Sequence, residues 1–214
     1  MLSGLNVEFA TGRTSVIHTP VASAGSLLIE AIIGRLPPIR GRIVVDGVDS
    51  KTGTTAIRRQ VCLVPQKFPL RRHLSVVGNV RFLLGLRSLT ASTRDIRTAL
   101  RRSDLTEQTI LGPSSSLSAL ERLGVWIAVC RLADGRLLVI EELDREIPLS
   151  YAGDVSELLS DPRKTLTILA TCRDRDFAAA VADDLFQIEQ EHLRMLPRRR
   201  SGLAPQLSDT SESL

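Results

Sequence analysis

The sequence has 214 residues, 43 % hydrophobic and 24 % charged, which is the balance of a folded domain and excludes a disordered chain. Its net charge of +4 is carried mostly by arginines scattered among acids, and aromatic residues make up only 3 %. Because a nucleic-acid surface combines clustered cations with stacking aromatics, we expect no nucleic-acid partner.

The three cysteines, Cys62, Cys130 and Cys172, are widely separated in the sequence and form no C-x-x-C pair. This spacing predicts buried free thiols in a reducing compartment, not a disulfide framework or a zinc site. No signal peptide opens the sequence, and no apolar run has the length of a membrane span. We therefore expect a cytoplasmic chain that lies at the inner face of the cell membrane only through a partner.

In the N-terminal half, short aliphatic and β-branched runs alternate with longer runs of helical periodicity. In chain order they predict strands at Asn6–Phe9 and Ser15–His18, a helix at Ser26–Leu36, strands at Ile43–Val45 and Val61–Val64, and a helical stretch at Ser75–Leu111 with a break near Leu89–Thr90. A turn at Thr11–Arg13 joins the first two strands, and Ile43–Val45 runs into a tight turn at Asp46–Gly47, so we expect a small antiparallel β part in the N-terminal region.

The C-terminal half continues the alternation. It predicts a helix at Leu117–Leu132, a strand at Leu137–Ile140, a helix at Asp154–Leu159, a strand at Thr165–Ala170, a helix at Asp174–Ala182 and a strand at Leu185–Ile188. Such alternation is typical of an α/β fold with a mainly parallel sheet and flanking helices. The helical stretch at about 67–136 interrupts it, which predicts a helical subdomain inserted in a single domain of residues 1–200. Residues 201–214 are polar and small and predict a disordered tail.

Seven local features occur in the order and with the spacing of an ATP-binding-cassette (ABC) nucleotide-binding domain. They are Gly12–Leu36, Leu36–Pro38 with Gly41–Gly47, Ile57–Gln66, His73–Val76 with Asn79–Val80, Leu117–Arg122, Leu137–Glu142 and Thr171–Cys172. The chain resembles this family over about residues 2–196. The resemblance implies a P-loop NTPase-like (ABC ATPase) fold.

The family's Walker A loop, G-x-x-x-x-G-K-[ST], corresponds to the run Thr19–Ser26. Glycines let backbone N–H groups surround phosphates, and the lysine neutralises the phosphate charge. Here threonine opens the run, Ala24 replaces the second glycine and Gly25 replaces the lysine, so only Ser26, the magnesium-side hydroxyl, is kept. The resemblance therefore implies weak or absent binding of ATP and Mg at Ala24, Gly25, Ser26 and Leu27.

The other family positions are partly kept. Glu141 replaces the aspartate that orients magnesium, and Glu142 stands at the general-base position. Gln66 matches the glutamine that senses the γ-phosphate, and Ser118 remains from the LSGGQ signature, whose two glycines are replaced by alanine and leucine. Cys172 replaces the switch histidine. Each position also has a structural interpretation: strand-end acids, a turn residue, a helix N-cap and a small buried residue.

These losses predict a degenerate, non-hydrolysing subunit that docks on an integral membrane permease-type partner. It would pair as a homodimer or as a heterodimer with a catalytic ABC subunit, in which Ser118 completes the sister's site. In the family, the loop after the glutamine accepts a coupling helix, so we expect Phe68, Leu70 and Arg71 to contact the membrane partner. The alternatives are a weakly active ATPase that energises transport and a soluble regulatory pseudo-ATPase.

Overall fold

A computed structural model describes residues 5–160, 165–189 and 192–196. The predicted tail, 201–214, lies outside the described residues. The strands of the described part are β1 Thr14–His18, β2 Val44–Val45, β3 Val48–Asp49, β4 Val61–Val64, β5 Leu137–Ile140, β6 Thr167–Cys172, β7 Asp184–Glu189 and β8 His192–Leu196. Its α-helices are α1 Ala22–Ile32, α2 Thr54–Gln60, α3 Val76–Gly85, α4 Thr93–Arg101, α5 Glu107–Leu111, α6 Ala119–Leu132, α7 Ala152–Leu159 and α8 Arg175–Val181.

Six strands form one sheet in the order β4-β5-β6-β1-β7-β8. All neighbouring pairs are parallel except β7 and β8 at one edge, which are antiparallel. The central strand β1 is buried on both faces: Val16 packs toward α6, α7 and α8, whereas Ile17 packs toward α1 and α2. The predicted mainly parallel α/β sheet with flanking helices is confirmed.

The predicted small antiparallel part is the hairpin β2–β3. Asp46 and Gly47 at its turn both have positive φ, 47° and 78°, as a two-residue hairpin turn with this twist requires. Asn6–Phe9, predicted as a strand, is not a strand in the structure, because both edges of β1 are occupied by β6 and β7. Phe9 instead packs edge-on against Phe186, with ring centroids 5.0 Å apart.

The chain between the neighbouring strands β4 and β5 contains α3 to α6. These helices surround a hydrophobic cluster of their own, with fully buried Val80, Leu100 and Val125. The sequence predicts one break in this stretch, but the structure has a second one after α4, where Thr106 caps a new helix. The separate cluster supports the predicted subdomain at about 67–136, which stays a prediction.

None of the helices in the described ranges is both long and apolar enough to cross a lipid bilayer.

Candidate functional site

The candidate site lies at the carboxyl ends of four adjacent strands, β4, β5, β6 and β1. In an open parallel sheet the loops after these ends converge on the crevice where ligands bind. They carry Gln66 after β4, Glu141 and Glu142 after β5, and the run Thr19–Ser26 after β1. The fold therefore collects most of the residues that the sequence singled out.

The run that corresponds to Walker A is largely helical. α1 begins at Ala22, four residues before the predicted start, so Ala24, Gly25, Ser26 and Leu27 all lie inside the helix. The backbone N–H of Ala24 donates to the carbonyl of Val21 at 3.1 Å. The alanines at positions 22 and 24 favour helix, and alanine at the place of the second Walker A glycine disfavours the left-handed loop conformation that glycine allows. These N–H groups therefore point along a helix and do not line an open phosphate loop.

The space around Gly25 is small. A Cβ built on Gly25 would lie 3.1 Å from Thr19 Oγ1 and 3.2 Å from Thr171 Cγ2. Thr19, at the place of the first Walker A glycine, is itself buried. A side chain at position 25 would therefore crowd Thr19, the residue that replaces the glycine, unless Thr19 shifts by a few tenths of an ångström.

The two predicted metal-side residues meet directly. The Ser26 hydroxyl donates to Glu141 Oε1 at 2.5 Å, so α1 and the end of β5 are joined by a short hydrogen bond. Within the described residues no group of three or more His, Cys, Asp or Glu side chains is arranged to hold a metal ion.

Glu142 is buried, with 3 % of its surface exposed, and its backbone has a positive φ of 48°. Both carboxylate oxygens have partners: Oε1 accepts from Gln66 Nε2 at 3.2 Å and Oε2 accepts from Arg145 Nη1 at 2.6 Å. Arg145 Nη1 also donates to Gln66 Oε1 at 2.9 Å. We call Glu142, Gln66 and Arg145 the Glu142 network.

Sequence reasoning missed Arg145. The available signal was a cation three residues after a carboxylate, in the turn that follows a buried strand. Such i, i+3 pairs are common on surfaces and carry little specificity by themselves. The observation that distinguishes Arg145 is its bond to Gln66, 79 positions away.

Ser118 is not part of this cluster. It is the N-cap of α6: its hydroxyl accepts from the N–H of Glu121, and the Glu121 carboxylate accepts from the backbone N–H of Ser118 at 2.8 Å. Burial raises the pKa of Glu121, but hydrogen bonds from Ser118 and Thr109 outweigh it and bring that pKa below its ordinary value. A carboxylate therefore occupies the helix start where the signature motif would meet a phosphate.

Cys172, at the switch-histidine position, is a buried free thiol. Burial, together with the nearby carboxylate of Asp144, raises the pKa of Cys172 well above its ordinary value. The side chain is thus a neutral core residue at neutral pH.

The predicted partner contacts require one correction. Phe68 is 0 % exposed because the positive φ of Lys67 and Phe68, 67° and 44°, turns its ring into the core. It is therefore a core residue and not a docking side chain. Leu70 is half-buried against the helical cluster, and Arg71 is exposed with its guanidinium 4.3 Å from the centroid of the Phe82 ring.

Comparison with known proteins agrees with this architecture. The family model described as ABC transporter matches residues 2–144. The molybdate/tungstate import ATP-binding protein WtpC of Archaeoglobus fulgidus is 31 % identical over 185 residues, which covers 85 % of this chain and 76 % of WtpC. The mycobactin import ATP-binding/permease protein IrtB of Mycobacterium bovis is 28 % identical over 187 residues, covering 81 % of this chain and 31 % of IrtB.

A solved structure gives the same answer for the fold. The cbiO1 protein of Clostridium perfringens, described as part of the ABC transporter complex cbiONQ, superimposes with a TM-score of 0.79. Its sequence identity is 22 %, and the match covers 90 % of this chain and 80 % of cbiO1. Together the sheet, the helical stretch and the loop cluster define a P-loop NTPase-like nucleotide-binding domain. The chain belongs to the ABC transporter family.

Proposed function

We propose that the chain is a degenerate, non-hydrolysing ATP-binding-type subunit of an ABC transporter. It docks on an integral membrane permease-type partner or pairs with a catalytic ABC subunit. The observation that carries the proposal is the Glu142 network, in which Gln66 and Arg145 donate hydrogen bonds to the carboxylate at the general-base position.

A general base must be free to accept a proton from, or to orient, the attacking water. Both oxygens of Glu142 already accept hydrogen bonds, one of them from a guanidinium. The same guanidinium engages Gln66, the position that senses the γ-phosphate in the family. A buried carboxylate whose two oxygens are already hydrogen-bonded is poorly suited to activate water.

The phosphate-binding side supports the same conclusion. The family binds ATP with Mg, but the residues present here do not fit that group: the loop is helical from Ala22, the lysine is absent, and a side chain at Gly25 would crowd Thr19 and Thr171. Each lost charge-assisted hydrogen bond is worth about 1.5–3 kcal/mol. At about 1.4 kcal/mol per tenfold change, two such losses lower the affinity by roughly two to four orders of magnitude.

The relatives support a membrane partner. IrtB carries ATP-binding and permease parts in one chain, and cbiO1 belongs to a transporter complex. We place the docking surface at the loop Lys67–Arg72, with Leu70 and Arg71 as its contacts. Through this surface the chain would lie at the inner face of the cell membrane.

Pairing with a second ABC subunit is the other part of the proposal. In a homodimer or in a heterodimer with a catalytic subunit, the start of α6 would face the partner's nucleotide. Ser118 and Glu121 satisfy each other, and their carboxylate would repel a phosphate. We therefore expect this chain to form the dimer interface of such a pair without contacting the phosphates of the partner's nucleotide.

The retained Ser26–Glu141 bond favours one alternative, a weakly active ATPase subunit, because this hydroxyl and carboxylate are the groups that would flank a magnesium ion. Titration of the purified chain with labelled ATP and Mg distinguishes the weakly active ATPase from the non-hydrolysing subunit. We expect no saturable binding at micromolar ATP, under conditions in which a complete ABC nucleotide-binding domain saturates. Micromolar affinity would contradict the non-hydrolysing proposal.

Co-purification from native membranes tests the docking surface. We expect the wild-type chain to recover a multi-spanning membrane protein and the Leu70→Asp and Arg71→Glu variants to lose it. Leu86→Asp is the matched control, since Leu86 is 68 % exposed and lies at the end of α3 in the same helical stretch. Equal recovery by all three variants would exclude this surface.

A further inference from the structure

Two of the three cysteines lie side by side in the core, although they are far apart in the sequence. Cys62 is in β4 and Cys130 is in the last turn of α6. They are 5 % and 0 % exposed and belong to the same hydrophobic cluster. Neither is used by the candidate site, and both are free thiols.

Gly135, in the turn between α6 and β5, leaves the space in which the two sulphur atoms meet. A Cβ built on Gly135 would lie 2.7 Å from Cys130 Sγ and 2.9 Å from Cys62 Sγ. The N–H of Gly135 also donates to the Cys130 carbonyl at 2.9 Å, which fixes the turn over the thiols. Any larger residue at this position would push the sulphur atoms away.

The surroundings make the two thiols unequal. The guanidinium of Arg87 donates to the carbonyls of Val61 and Arg59 at 3.0 and 2.7 Å, next to Cys62. A hydrogen bond from Cys130 lowers the pKa of Cys62, against burial and with help from the charge of Arg87. The same hydrogen bond, together with burial, raises the pKa of Cys130. Cys62 is thus the thiol that ionises first, and the thiolate is the reactive form.

We propose that Cys62 and Cys130 form a reversible intrachain disulfide, a modification site for small peroxide oxidants. The path from solvent to the two thiols is short, because they lie directly beneath the turn in which Asp134 and Arg136 are exposed. An oxidant as small as hydrogen peroxide needs only a local opening of this turn.

The reaction is balanced with hydrogen peroxide as the oxidant. The Cys62 thiolate attacks one peroxide oxygen, the O–O bond breaks, and the leaving hydroxide takes up a proton to become water. The sulfenic acid on Cys62 is then attacked by the sulphur of Cys130, the S–O bond breaks, and a second water leaves with the Cys130 proton. Two thiols and one peroxide thus give one disulfide and two waters.

The bond would join β4, the strand that leads to Gln66, to the end of α6. The loop it closes contains all of α3, α4 and α5. Constraining so long a loop in the unfolded chain raises the melting temperature, here by roughly 5–10 °C. The disulfide would thus tether the helical stretch to the sheet.

The test uses the purified full chain, reduced and then treated with hydrogen peroxide. Thiols titrated after denaturation should fall from three to one, and peptide mapping should find the Cys62 and Cys130 peptides linked, with Cys172 free. The Cys172→Ser variant should form the same bond. Gly135→Ala should slow its formation at least tenfold, whereas Gly153→Ala, whose added Cβ would meet nothing within 4 Å, should not.

Three free thiols in the folded chain after peroxide treatment would overturn the proposal, as would a bond that involves Cys172 or a second chain. The thiol count and the peptide map are made on the wild-type protein. They therefore stay decisive even if the Gly135 variant folds poorly.

Discussion

One guanidinium nitrogen of Arg145 donates both to the buried carboxylate of Glu142 and to the side-chain amide oxygen of Gln66. No motif of the sequence indicates these contacts. Gln66 and Glu142 were foreseen because they stand at family positions. Their partner was not, because a hydrogen bond between residues far apart in sequence leaves no local pattern. For the same reason the sequence does not predict the hydrogen bond between Ser26 and Glu141.

Removing this cation should destabilise the fold. In Arg145→Met, Glu142 keeps its burial but loses its charged partner, and we expect a loss of about 1–3 kcal/mol, reduced from the full buried-pair value because Arg145 is 40 % exposed. The measurement is the urea midpoint. Arg136→Met is the control, since its ion pair with Asp46 is exposed on both sides and should change stability by less than about 0.5 kcal/mol. Equal losses in the two variants would contradict the role of the network.

A restored Walker A lysine should not fit by itself. In Gly25→Lys the new side chain meets Thr19 and Thr171, and overpacking of this kind costs about 1–3 kcal/mol. The double variant Thr19→Gly, Gly25→Lys removes the nearer obstacle and should recover part of the loss. Thermal melting of both variants checks this expectation, and a Gly25→Lys chain as stable as the wild type would refute the crowding argument.

At the element scale, the sequence predicted the capped helix starts at Ser75 and Ser118 but not those at Ser92 and Thr106. Ser75, Ser92, Thr106 and Ser118 each cap a helix with the side-chain oxygen, as the residue types indicate. The start of α1 was misplaced, because Val21 makes no side-chain cap and the family pattern favoured a loop there. Local chemistry thus marks a helix start only where a capping residue is present.

The cap of α6 should respond to pH. Hydrogen bonds lower the folded-state pKa of Glu121 below 4.5, so its carboxylate stabilises the fold above that pH, and the stabilisation is lost as the pH falls through the folded-state value. We expect the urea midpoints of wild type and Glu121→Gln to differ at pH 6–7 and to converge as the pH falls through the folded-state pKa of Glu121. Ser118→Ala, which removes the hydroxyl donor but keeps the backbone N–H, should weaken this pH dependence without abolishing it. A difference that stays constant over the whole range would contradict the assignment.

Gly124 lets α6 pack closely against the end of α4. A Cβ at Gly124 would lie 2.7 Å from both the Ser103 carbonyl oxygen and Leu105 Cδ1. Because a backbone atom cannot move aside easily, Gly124→Ala should cost about 1–3 kcal/mol. Gly153→Ala in α7 meets nothing and should stabilise by about 0.5–1 kcal/mol through helix propensity. Chemical denaturation of the pair gives the sign of each change, and a neutral Gly124 variant would argue against close packing.

At the scale of the whole molecule, the continuous apolar runs predicted β4, β5 and β6 within two residues, because strands buried on both faces need such runs. The pairing at the edges of the sheet was not predictable from the sequence. β8 alternates only weakly, and its pairing with β7 depends on an edge that exists only in the folded sheet. Asn6–Phe9 alternates well, yet no free edge is left for it beside β1.

Arg13 ties the two ends of the described chain together. Its guanidinium donates to both carboxylate oxygens of Asp184, at 2.6 and 2.8 Å, and so fixes β1 against β7. Lysine cannot reproduce this paired geometry, so Arg13→Lys should cost about 1 kcal/mol. Arg35→Lys, in an exposed pair with Glu30, is the control and should cost less than about 0.5 kcal/mol. Thermal melts that show equal costs would contradict the clamp.

The place of β1 in the sheet also sets the order of events during biosynthesis. Of the described strands β1 is synthesised first, whereas its two neighbours, β6 and β7, follow β5 in the chain. Until residue 189 has emerged, the centre of the sheet has no complete set of partners, whereas α3 to α6 can pack through contacts that are close in sequence. Val16 and Ile17 of β1 therefore reach their native packing only after these later strands have been synthesised.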